Sequence, residues 1–139
     1  MLRIRLALGA SLCLCALIIP TWCRAADHTP DTPAQVKQAV AEKKAILLDV
    51  REQREWNRGH LAAAVFLPLS ELQGKVDAKQ LAAKLPQGTV IYTHCASGRR
   101  CLVAGDILQK LGYEVRCLKP GYTDLLEAGF EPAQDSKER

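Results

Sequence analysis

Apolar residues in this chain come in short bursts. Ala45-Ile46-Leu47-Leu48-Asp49-Val50 is nearly continuous and ends on a carboxylate, as a strand buried on both faces should read. Val65-Phe66-Leu67, Val90-Ile91-Tyr92 within residues 89–93, and residues 114–118 repeat that form. Between the bursts the spacing turns helical. Thr32-Pro33-Ala34-Gln35 opens a helix with a cap, a first-turn proline and a capping-box glutamine, and Val36, Ala39 and Val40 face inward until about Lys44. Residues 51–59 predict a charged short helix anchored by Trp56, residues 70–72 a turn, and residues 77–85 a helix capped by Asp77 with Leu81 and Leu85 inward. Residues 101–111 predict a helix whose apolar positions are Leu102, Ile107, Leu108 and Leu111, closed by Gly112. Residues 122–128 predict a last short one, before a polar tail from Gln134 to Arg139. Strands alternating with helices imply an α/β domain with a parallel sheet covered on both faces. Ligands of such sheets sit at the carboxyl ends of the strands.

The chemistry concentrates after the third burst, in Cys95-Ala96-Ser97-Gly98-Arg99-Arg100. A tight loop between a strand and a helix can turn its N–H groups toward one point and finish on a helix N-terminus, which favours an anion there. Cys95 opens the loop, so its sulfur can occupy that point with a lowered pKa as a nucleophile. Gly98 supplies backbone freedom for the curl. Asp49 and Arg51 follow the first strand on the same edge and support the loop or form a structural ion pair.

The N-terminus changes the count of charges and thiols. Arg3 and Arg5 precede an uncharged apolar stretch over residues 6–19, Pro20 breaks it, and Arg24-Ala25-Ala26 offers small residues. This pattern predicts a cleavable export signal over residues 1–26, a single domain over 27–139 and a periplasmic product. The competing expectation is an uncleaved membrane anchor facing the periplasm. Removal of the segment takes three arginines and no acids from 19 basic and 15 acidic residues, leaving near neutrality and no basic stretch that would suit nucleic acid. Six cysteines become three: Cys95, Cys101 and Cys117. They form no Cys-x-x-Cys pair and, with scattered histidines, no zinc site, so neither a metal nor an organic cofactor is expected. An odd number of thiols in an oxidising compartment leaves at least one unpaired or reactive.

The segment from Val90 to Arg100 resembles the active-site loop of the rhodaneses, sulfurtransferases that carry sulfur as a cysteine persulfide. The resemblance extends through Leu47-Leu48-Asp49-Val50-Arg51-Glu52 with Glu55-Trp56, Gly59-His60-Leu61 with residues 64–68, and Gly121-Tyr122 with residues 125–130, about residues 33–130 in all. With one domain and an export signal, the chain is similar to the exported phage-shock-protein-E type. Ala62-Ala63, Pro120 and Leu126 depart from the family's usual residues, and Cys101 stands where a Ser or Ala is more common. The resemblance implies a three-layer fold with a mostly parallel sheet of about five strands. It implies transfer of the outer sulfur of thiosulfate to Cys95 and on to cyanide or another thiophilic acceptor. Arg100 would bind the sulfonate or fix the loop. Arg99 and Ser97 divide between substrate contact and surface or turn roles, and Ala96 and Gly98 would line the loop. Phosphatase-like relatives need Cys-x5-Arg, whereas here Arg100 lies five positions after Cys95, a loop one residue shorter that admits a single sulfur more easily than a phosphate. The alternative function is a persulfide-carrying, sensing or thiol-redox module acting on a protein partner, with Cys101 as a resolving thiol. His60 and Cys117 are expected to be structural, and Trp56 and Tyr122 core or pocket wall.

Overall fold

The computed structural model describes residues 25–74 and 76–134. The expected export segment, apart from Ala25 and Ala26, and the polar tail beyond Gln134 lie outside them. Ten elements follow in order: α1 (Pro33–Ala41), β1 (Ala45–Asp49), α2 (Gln53–Asn57), β2 (Ala64–Phe66), α3 (Leu69–Gln73), α4 (Ala78–Lys84), β3 (Val90–His94), α5 (Arg99–Lys110), β4 (Val115–Cys117) and α6 (Tyr122–Glu127). The strands pair in parallel in the order β2-β1-β3-β4. The sheet therefore has four strands where about five were expected. A single parallel bridge from His28 to Cys117 adds a short strap beside β4 without making another strand. Among the described residues no helix is long and apolar enough to cross a membrane.

Alternation along the strands divides the core. Leu48, Val50, Ile91, Cys95, Val115 and Cys117 pack with α3, α4 and α5 on one face. Ala45, Leu47 and Tyr92 pack with Val36 of α1, Leu125 of α6, Leu61, Leu118 and Phe130 on the other. Both faces are covered, which is why the strands read as continuous apolar runs instead of alternating ones. Each fully buried leucine here contributes about 1.5–3 kcal/mol relative to exposure.

Local chemistry sets the helix ends. Thr32 and Gln35 close the reciprocal capping box that opens α1, and Asp77 Oδ1 accepts from the N–H groups of Lys79 and Gln80 at 2.8 and 2.9 Å to start α4. The inward face of α5 differs from the expected one. Cys101, Ala104, Gly105 and Leu108 are buried, whereas Leu111 is 47% exposed. Small residues win the interior because β4 and the strap approach closely. A Cβ on Gly105 would lie 2.5 Å from Cys117 Sγ and 3.0 Å from Ala26 Cβ. Ala26 is itself buried, and its N–H donates to Asp106 at 2.6 Å.

The sheet order places β2 on one side of β1 and β3 on the other. The carboxyl ends of β1 and β3 thus flank the point where the winding reverses, the usual place for a site in an open parallel sheet. Asp49 ends β1 and lies opposite His94, which ends β3 just before Cys95.

Candidate active site: a cysteine loop and a buried ion pair

β3 delivers Cys95 into a curl that α5 closes. Gly98 is the cap residue before α5, with φ +79°, and a Cβ there would stand 2.6 Å from the Lys119 carbonyl oxygen. Glycine is required twice over, for its backbone and for the space. A second close approach comes from Gly121. A Cβ on it would land on the Ala96 carbonyl oxygen, and the next N–H, of Tyr122, donates to the Cys95 carbonyl at 2.9 Å. The segment after β4 therefore braces the loop from behind. The strap does so as well, with His28 Nε2 donating to the Gly98 carbonyl at 2.9 Å.

Cys95 is fully buried at the floor of this curl, while Ala96, Ser97 and Arg99 at the mouth are exposed. Its thiol pKa falls from 9.0 to about 4. The largest cause is a hydrogen bond from the Cys101 thiol, joined by the backbone N–H groups of Ser97, Cys101 and Arg100 and opposed by burial. The lowered pKa makes Cys95 a thiolate at neutral pH. Cys101, the third residue of α5, is held protonated. Hydrogen bonds with Cys117 and Cys95, together with burial, push its pKa up. Its Sγ lies 2.7 Å from the Gly98 carbonyl oxygen and 3.1 Å from that of Leu118. Cys117 is buried on β4 with its Sγ 3.1 Å from the Cys101 carbonyl, and all three thiols are free.

Arg100 reaches back across the fold. Its Nη1 and Nη2 donate to the two Glu55 carboxylate oxygens at 2.6 and 2.7 Å, a bidentate pair that is about one-third exposed. The guanidinium holds the Glu55 carboxyl down to about 2. Arg100 also reaches the Cys95 sulfur, so it fixes positive charge at the loop. Glu55 was quoted above only as part of a motif. Its pairing partner lies 45 residues away, and a charged stretch by itself reads as a solvated face.

Asp49 and Arg51 form the neighbouring cluster. Arg51 Nε donates to both Asp49 oxygens at 3.0 Å, and Nη2 donates to Asp49 Oδ2 at 2.7 Å and to the Gly59 carbonyl at 2.8 Å. The guanidinium lies 4.0 Å from the Tyr122 ring centroid. His94 Nε2 stands 3.7 Å from Asp49 Oδ2, and neither of its ring nitrogens makes a hydrogen bond. Burial holds His94 neutral, against the pull of Asp49. In the sequence His94 immediately precedes the nucleophile, with nothing nearby to mark its partner. Its burial beside Asp49 follows from strand register, since Asp49 and His94 are partners across β1 and β3. His60 stacks on Trp56 with ring centroids 3.6 Å apart, and its Nδ1 meets the Trp56 carbonyl at 3.2 Å. Among the described residues, no cluster of His, Cys, Asp and Glu is arranged to hold a metal ion.

Comparison with known proteins agrees with this geometry. Residues 32–128 match the rhodanese-like domain. The chain is 32% identical over 87 residues to a Schizosaccharomyces pombe protein named "Putative thiosulfate sulfurtransferase, mitochondrial", covering 56% of this chain and 60% of that one. It is 33% identical over 90 residues to a "Putative sulfur carrier protein" of Bacillus subtilis, covering 63% and 45%. The chain thus spans less than two thirds of the length of these curated relatives. A rhodanese-related protein of Thermoplasma volcanium superposes with TM-score 0.60 at 27% identity, covering 73% of this chain and 93% of that one. The match over most of the chain, with this strand-loop-helix site at its centre, places the protein in the rhodanese-like domain family of sulfurtransferases and sulfur carriers.

Proposed function

We propose that the protein is a sulfurtransferase that takes the outer sulfur of thiosulfate onto Cys95 and passes it to cyanide or another thiophilic acceptor. The observation that carries this reading is the Cys95 sulfur at the focus of the Ser97, Arg100 and Cys101 N–H groups, with its pKa brought down to about 4. A thiolate in that position attacks the outer sulfur of thiosulfate, and sulfite leaves with the electron pair of the broken S–S bond. The loop N–H groups then hold the anionic outer sulfur of the persulfide, as an oxyanion hole holds oxygen. The short Cys-x4-Arg curl suits one added sulfur atom. Arg100, fixed by Glu55, and the exposed Arg99 give the mouth the charge that a dianionic donor seeks. The relative named as a thiosulfate sulfurtransferase supports the choice of donor. Export to the periplasm, in the manner of the phage-shock-protein-E type, is supported by the charge and hydropathy pattern of residues 1–26.

A second reading, a persulfide carrier that delivers sulfur to a protein partner, is favoured by the relative named as a sulfur carrier. Thiocyanate formation from thiosulfate and cyanide separates the two. The reduced protein should turn over without a partner, and Cys95→Ala should not. A folded, reduced protein that takes up one sulfur but does not turn over points to the carrier. A protein that takes up none rejects both.

A further inference from the structure

Three buried thiols are linked by contact, the Cys101 thiol meeting both the Cys95 and the Cys117 sulfur. The established chemistry of the family needs only Cys95. Cys101 is placed by α5. It lies in the first turn, where helical side chains point back toward the N-terminus and so toward the loop. Its sulfur is in hydrogen-bonding reach of the Cys95 sulfur, on the core side, enclosed by the Gly98 and Leu118 carbonyls. The mouth, lined by exposed Ala96 and Ser97, is on the other side of Cys95. An outer sulfur on Cys95 that points to the mouth leaves the inner sulfur facing Cys101. Thiol–disulfide exchange proceeds by attack of such a thiol on the inner sulfur with the outer one leaving.

We propose that Cys101 resolves the Cys95 persulfide, so that the protein can release sulfide as well as transfer sulfane sulfur. The inference rests on the reading of Cys95 as the persulfide carrier. In the step, Cys101 Sγ bonds to Cys95 Sγ while the bond from Cys95 Sγ to the outer sulfur breaks. The electron pair of that bond leaves on the outer sulfur, which takes a proton from solvent at the mouth and departs as HS⁻, while Cys101 gives up its own proton as its new bond forms. The two cysteines are oxidised to a disulfide, and the sulfane sulfur is reduced to sulfide. Thiosulfate is the only oxidant consumed. One dithiol, or two monothiols, then reduces the disulfide and resets the site. Over a full cycle, thiosulfate and two thiols give sulfite, hydrogen sulfide and an external disulfide.

The test is a single turnover of the full, pre-reduced protein with one equivalent of thiosulfate and no external thiol. Sulfite reports the first step, and sulfide and intact mass report the second. The expected result is one equivalent each of sulfite and sulfide, a mass about 2 Da below the reduced protein, and a Cys95–Cys101 disulfide in the peptide map. Sulfite with a stable adduct about 32 Da heavier, and no sulfide, overturns the inference and leaves the sulfurtransferase standing. A Cys101–Cys117 disulfide also overturns it. Absence of sulfite overturns the thiosulfate reading, and the inference with it. Cys101→Ser should stop at the heavier adduct, and sulfide release from that variant at the wild-type yield rejects the role of Cys101.

Discussion

His94 and Cys95 are consecutive residues, equally buried, and they serve opposite faces of one sheet edge. On the α5 face, negative charge on Cys95 is held mainly by N–H groups and a thiol, with the Arg100 guanidinium, itself paired to Glu55, also in reach. On the α1 and α6 face, negative charge on Asp49 is cancelled outright by the Arg51 guanidinium beside it. The first arrangement sets the anion beneath a loop whose Ala96, Ser97 and Arg99 are exposed. The second uses every lone pair within a closed network of Asp49, Arg51 and the Gly59 carbonyl. Equal burial therefore yields a nucleophile in one place and a structural tie in the other. What distinguishes them is that neutral donors dominate around Cys95, whereas a guanidinium pairs directly with Asp49.

The sharpest way to separate the two faces is to remove each anion in turn. Cys95→Ala should reduce thiosulfate-dependent thiocyanate formation about 10⁴-fold or more, with the melting temperature little changed. In the intact protein, alkylation of Cys95 by iodoacetamide should be independent of pH from about 6 to 8. It should fall only as pH drops through about 4, because the lowered pKa keeps the thiolate populated down to there. An alkylation midpoint near 8–9, the range of an ordinary thiol, would mean that the loop does not hold the thiolate.

Asp49→Ala addresses the other face. It strands the Arg51 guanidinium, which is nearly fully buried, and should cost about 3–5 kcal/mol of stability in a denaturant titration. The Cys95 alkylation midpoint of the folded variant should stay where it was. A midpoint shifted by a whole unit would show that the two faces act as one electrostatic site, against the comparison drawn here.

Gly121→Ala tests the brace between them, since Gly121 lies against Ala96 and Tyr122 packs on Arg51. The added methyl must push the Ala96 carbonyl away, at a cost of about 1–3 kcal/mol. Moving the loop should weaken its N–H contacts to Cys95, so the alkylation midpoint should rise. Unchanged stability and midpoint would show that the segment after β4 does not hold the loop.

Much of the loop's setting was legible from composition and period. The continuous apolar runs located β1 and β3, and the cysteine, glycine and paired arginines between a strand and a helix marked the curl. What escaped depended on approach distances and long-range partners. Leu111 stands among the expected apolar positions of the α5 helix, yet it is 47% exposed. Gly105 takes the interior because Cys117 and Ala26 leave no room for a larger side chain. Arg100 could be assigned to the loop, but Glu55 could not be assigned to Arg100, because only the folded sheet brings α2, which follows β1, beside the start of α5. The expected parallel sheet of about five strands is met by the four among the described residues, with the strap beside β4. The strap makes a single bridge at His28 before turning away to let Asp31 meet Tyr92 and Arg116.

The smallest expected effect belongs to Glu55→Gln, which tests whether the ion pair at the mouth is part of the site or of the scaffold. The folded-state pKa of Glu55, about 2, is below the ordinary 4.5. Its pairing therefore stabilises the protein fully above about pH 5 and loses that contribution as pH falls from 4.5 through about 2. Because the pair is about one-third exposed, screening keeps the contribution below about 1 kcal/mol. Wild type should exceed the Gln variant in stability by a small, constant margin above pH 5, and the margin should vanish toward pH 2. The kinetic effect should fall mainly on KM for thiosulfate, raised a few-fold at neutral pH, since a loosened Arg100 still carries its charge but no longer holds it at the mouth. A kcat loss with unchanged KM would place Arg100 with the thiolate in the chemical step and not with donor binding.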